Sequence, residues 1–272
     1  MVAGIWTSAA LGSGHLTWPL FGSAACHLLA AAAVFWLLPE KGFHPARGEE
    51  RASWRHVVKT GNQGFRLARS RPMLGAIMLA VFFTGLSSEG FDRLFAKQLE
   101  DNLRFPPVLP EVVWMAILAS IPALAAALLS AWISQSRAVR ENRVAIDLLT
   151  AIHTALAMAV LGFALAGQFW LGAACLVAGR ILRRIDTPLL QAWTNSQAEP
   201  QVRATILSFQ SQAHSFGEMI GGPISAAITA AFGVRSALTA AGVMVSPTVA
   251  TFLAARRHTA PKETESPASP TA

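Results

Sequence analysis

Long apolar runs separated by short polar segments set the pattern of this chain. Seven of them approach the ~20 residues that a helix needs to cross a bilayer's hydrocarbon core. They run from Leu16 to Leu38, Pro72 to Leu94, Val112 to Ser134, Val144 to Gly167, Phe169 to Trp193, Ala204 to Phe232 and Val234 to Ala255. The runs are continuous, not alternating, and rich in Ala, Leu and Gly. Backbone groups cannot stay unpaired in lipid, so helices are expected and barrel strands are not. The pattern predicts an all-α, polytopic membrane bundle of about seven transmembrane helices. It divides into a first isolated run (1–39), a polar connection (40–71), a six-helix block (72–257) and a polar tail (258–272) rich in Pro, Thr, Ser and Glu, which reads as disordered.

Charge orients the runs. The 40–71 connection carries Lys41, Arg47, Arg51, Arg55, Lys59, Arg66, Arg69 and Arg71 against Glu40, Glu49 and Glu50, so the positive-inside rule makes it cytoplasmic. Alternation then puts Arg137, Arg140 and Arg143, the 191–203 turn and the C-terminus on the same side, and the mixed-charge 97–111 loop outside. Within the connection, Trp54, Val57, Val58, Phe65 and Ala68 fall opposite Arg55, Lys59, Arg66 and Arg69 at helical spacing. This reads as an amphipathic helix on the membrane surface or, alternatively, a solvated linker helix.

Composition agrees with the pattern: 53% of the residues are hydrophobic and 14% charged, where soluble domains carry about 25% charged residues. The net charge of +7 is accounted for by topology, because the basic residues flank apolar runs and do not interleave with exposed aromatics as a nucleic-acid platform would. Cys26 and Cys175 both lie within runs and read as packing residues; no disulfide, metal site or cofactor is expected. Residues 1–14 lack the basic start of a signal peptide. No phosphate-binding glycine loop, zinc-binding His/Glu spacing or nucleophile elbow occurs, so neither an enzyme nor an ATP-driven pump is expected.

Several stretches resemble the major facilitator superfamily of secondary transporters. Leu37, Leu38, Pro39 and Glu40 are similar to the end of that family's sixth helix. Arg203 through Ser208 to Gln210 resembles the start of its eleventh, and Gly221, Gly222 and Pro223 followed by Phe232 to Arg235 its junction with the twelfth. Ser88 to Arg93 resembles the outer end of the seventh helix in drug-efflux-like members. The Ser134 to Arg143 turn departs from the family in lacking its usual Gly and Asp. The resemblance implies the sixth to twelfth helices of a twelve-helix transporter, with 1–39 left from an N-terminal half. It further implies a cell inner (plasma) membrane location and ion- or proton-coupled efflux of a small molecule by alternating access. Expected partners are the substrate, the lipid bilayer, and a second copy or an N-terminal half. A truncated remnant or scaffold without transport is the competing reading.

Ionisable groups within membrane runs are costly, which makes them functional candidates. Gln210, His214 and Glu218 recur every four residues on one helix face, with Glu218 near mid-span. They read either as a proton-coupling set or as an interhelical hydrogen-bonding stripe. On the same helix Gly217, Gly221 and Ser225 form a small-residue packing ridge. Arg180 and Arg183 share a face and could meet Glu218 or an anionic substrate group, while Arg184 and Asp186 read as local, nearer the cytoplasm. Glu89 and Asp92 mark the outer mouth, and Asp147 reads as a cytoplasmic-end ion pair with Arg143. His153 reads as a packing residue.

Overall fold

A computed structural model describes residues 2–15, 17–37, 72–135, 142–197 and 203–257. All elements among the described residues are helical: α1 (Val2–Gly14), α2 (Trp18–Leu37), α3 (Pro72–Gln98), α4 (Glu111–Gln135), α5 (Asn142–Leu165), α6 (Phe169–Gln197), α7 (Arg203–Phe232) and α8 (Val234–Arg257). α3 runs on through a π-helical turn, Leu99–Leu103. The predicted surface helix in 40–71, the tail, and Arg137 and Arg140 lie outside the described residues.

The all-α expectation holds. Among the described residues five helices are long and apolar enough to cross a membrane: those of α2, α3 with its π-helical turn, α4, α5 and α8. α6 and α7, counted as spans from the sequence, have 29 and 30 residues, or roughly 44 Å at 1.5 Å per residue. They are long enough to cross but too polar to join the five, because one carries Arg180, Arg183, Arg184 and Asp186 and the other Gln210, His214 and Glu218. α1 was not expected at all. Its 13 residues are too few to span, which is why a search for bilayer-length runs passes over it.

α3 forms the middle of the bundle, packed along α7 and α8; α5 packs on α8 and α6, and α4 on α6 and α1. The α3–α7 seam is close because three glycines leave room. A Cβ added to Gly85 would run into the His214 carbonyl oxygen, one on Gly217 into the Phe82 carbonyl oxygen, and one on Gly221 into that of Leu86. Ser225 follows on the same ridge, its hydroxyl lying against Gly90. Gly233, at φ +83°, makes the turn from α7 to α8, a backbone region that glycine enters without strain.

Two apolar clusters fill the bundle. One gathers Phe91, Leu118, Leu156, Phe163, Leu176 and Val245. The other gathers Ile77, Val81, Ile152, Ile185, Trp193 and Phe252. Between them lies a polar layer: on α3, α5 and α8 respectively, Thr84, His153 and Thr248 each fall between the last residue of one cluster and the first of the other. α2 stands apart from this core. None of its residues is buried and it packs on α1, so Cys26, expected to pack, is exposed.

Candidate functional site

A cavity of about 940 Å³ opens between α3, α4, α6 and α7, with Ile5 of α1 in its wall. α6 supplies most of its charge. Helical spacing brings Arg180, Arg183, Arg184 and Thr187 to one side of that helix, and all four line the cavity together with Asp186. Asp92 and Thr84 come from α3, Ala119 and Pro122 from α4, and Gln210 and His214 from α7.

The pairings differ from those read in the sequence. Arg183 donates to Asp92 at 2.7 Å and does not meet Glu218. The pair ties α6 to α3 at the cavity edge, with the Asp92 carboxylate about half exposed. Arg180 lays its guanidinium over the Phe95 ring, 4.0 Å from the centroid, a cation–π arrangement. Glu218 lies beside His214 at 3.5 Å, but its side chain is 40% exposed and it does not line the cavity. The Gln210, His214, Glu218 stripe is therefore split, its first two members facing the cavity and the third turned away. Glu89 pairs along its own helix with Arg93.

The most enclosed ionisable pair went unpaired in the sequence reading. His153 on α5 is 0% exposed and Asp186 on α6 is 7% exposed, with Nδ1 and Oδ1 3.6 Å apart. The ring is gripped on both sides, Nδ1 lying 3.0 Å from the Leu149 carbonyl oxygen and Nε2 3.4 Å from the Thr84 hydroxyl, while Phe252 covers its face at 4.9 Å between centroids. Asp186 Oδ1 has no hydrogen-bond partner. Asp186 is thus enclosed by the bundle, beside a residue of a neighbouring helix. It links the polar layer to the cavity wall. The signal available in the sequence was a histidine and an aspartate at matching depths of two neighbouring spans.

Asp147 also has a different partner. Arg256 of α8 reaches it at 2.8 Å, in place of Arg143, which precedes it by four residues on α5. The exchange ties the start of α5 to the end of α8 across the bundle. Among the described residues no group of three or more His, Cys, Asp or Glu side chains could hold a metal ion. No family model, curated protein or solved structure matches the chain.

Proposed function

We propose that this chain is a secondary active transporter of the major facilitator type, moving a small organic molecule by alternating access. The observation that carries this reading is the charged cavity inside an otherwise apolar bundle. Each ionised group held at membrane depth costs a few kcal/mol on insertion scales, so a cluster of them facing a shared void fits a pathway better than packing. A volume of about 940 Å³ is in the range that accommodates small-molecule ligands. The conversion between inward- and outward-open states is the rocking of one helix group against another around such a site.

Coupling to protons is part of the proposal, because an imidazole beside a carboxylate offers two groups between which a proton can pass. Two such pairs are present, His153 with Asp186 and His214 with Glu218. The first is enclosed and reaches the cavity, which favours it as the coupling site. The cell inner membrane, a cytoplasmic C-terminus and the export direction belong to the same reading. A remnant or scaffold that needs a partner half is the second reading, favoured by α2, none of whose residues is buried.

The deciding assay is proton-gradient-driven flux of a panel of organic ions in vesicles carrying the chain, with Asp186→Asn and Glu218→Gln as variants. Flux that requires the gradient and fails in Asp186→Asn supports the proposal. Flux indifferent to the gradient removes proton coupling, and absence of flux across the panel favours the scaffold.

A further inference from the structure

We infer that the cavity binds an organic anion, a carboxylate carried on an apolar body, with Arg180 as its anchoring cation. Three arginines and His214 face the cavity against two aspartates. Asp92 is paired with Arg183 at 2.7 Å, and Asp186 is nearly buried beside His153 at 3.6 Å. Arg180 has no carboxylate within ion-pair distance among the described residues. Asp92 acts on it only at longer range, and Arg183 and Arg184 add positive charge beside it.

Its setting is that of a prepared binding group. Phe95 supports the guanidinium plane from one side and so fixes the direction in which its N–H fork points. Such a fork matches a carboxylate with two parallel hydrogen bonds. Val81, Ala119, Leu190 and Leu207 give the same cavity apolar wall on which the body of the ligand would rest. Gln210 and Asn195 also line the cavity, and each has a buried side-chain oxygen without a partner. A cationic ligand would instead face three guanidinium groups, against the nearly buried Asp186 carboxylate.

The inference rests on the transport reading only in that both use one cavity, and binding tests it separately from flux. The full chain in detergent micelles is titrated with dansylglycine, a fluorescent monocarboxylate, and with ethidium, a cation of similar size. Saturable dansylglycine fluorescence above that of empty micelles is expected, displaced by benzoate and not by benzylamine. Arg180→Gln should weaken it by about tenfold or more, the loss of a charge-assisted pair, while Arg180→Lys retains part of it. Equal displacement by benzylamine, preferential ethidium binding, or unchanged affinity in a folded Arg180→Gln variant would overturn the assignment. Should that variant not fold, the wild-type displacement pattern decides alone. Displaceable binding without dansylglycine flux in vesicles would remove the transport reading and keep the anion site; absence of displaceable binding would remove the anion site whatever the flux.

Discussion

Adding one methyl group to Gly217 or Gly221 should drive α7 away from α3. At Gly217 the new Cβ would stand 2.7 Å from the Leu86 backbone nitrogen and 3.1 Å from the Gly85 carbonyl carbon, and at Gly221 3.0 Å from the Leu86 carbonyl carbon. These neighbours are backbone atoms of a helix, so no side-chain rotation relieves the overlap. Restoring ordinary contact with the nearest atoms, the Phe82 and Leu86 carbonyl oxygens, needs a displacement of more than about 1 Å, and a gap of that size forfeits about half or more of the dispersion energy along the seam. Overpacking of this kind costs about 1–3 kcal/mol, set against about 0.5–1 kcal/mol regained from replacing a helical glycine with alanine. Each variant should therefore lose about 1–2 kcal/mol net. Gly179→Ala is the matched control, because the atoms around its added methyl, on Ala159, Phe91 and Leu156, lie at 3.7–3.9 Å. There the propensity gain stands alone and stability should rise by about 0.5–1 kcal/mol. Denaturant midpoints of the three variants in mixed micelles make the comparison. If Gly217→Ala and Gly221→Ala unfold at or above the wild-type midpoint, or if Gly179→Ala is the weakest of the three, the close-seam argument fails.

His153→Ala should cost about 2–5 kcal/mol, because it empties the space of a fully buried ring packed on Phe252 and held by Leu149 and Thr84, whereas Asp186→Asn should cost clearly less; the same midpoint assay ranks them. Ser87→Ala removes the hydroxyl that donates to the Ala241 carbonyl at 2.7 Å and should cost about 0.5–1.5 kcal/mol, read as a lower midpoint with α8 loosened in hydrogen exchange. Asp147→Ala should shift stability by at most about 1 kcal/mol, since its pair with Arg256 is half exposed. The charge-reversed double variant Asp147→Arg with Arg256→Asp should recover most of whatever either single reversal loses.

The helices were legible because bilayer length is a strong filter: α2 to α8 each sit over an apolar run recognised from the sequence. The same filter hid α1, whose 13 residues fall short of it. What the sequence conveyed poorly was partnership. Asp147 had a plausible mate four residues away in Arg143 and took Arg256 from the other end of the block. Arg180 and Arg183 share a face from which either could meet Glu218 or an anionic group, and Arg183 closes on Asp92. Periodicity along one helix says which residues share a face, but the face presented to each neighbour depends on helix rotation and crossing, which the α3–α7 glycine seam sets. That rotation turns Gln210 and His214 into the cavity and Glu218 away from it. His153 and Asp186 were missed for the same reason, each on a different helix with no local cue to the other.

α2 carries a mechanical consequence. Its 20 residues measure about 30 Å as a helix, the thickness of a typical hydrocarbon core, and acyl chains are the surroundings its exposed side chains suit. It holds α1, and α1 lends Ile5 to the cavity wall while leaning on α4. Because α1 packs on α2 at one side and on α4 at the other, a change in the tilt of α2 would be felt at the cavity wall that Ile5 forms.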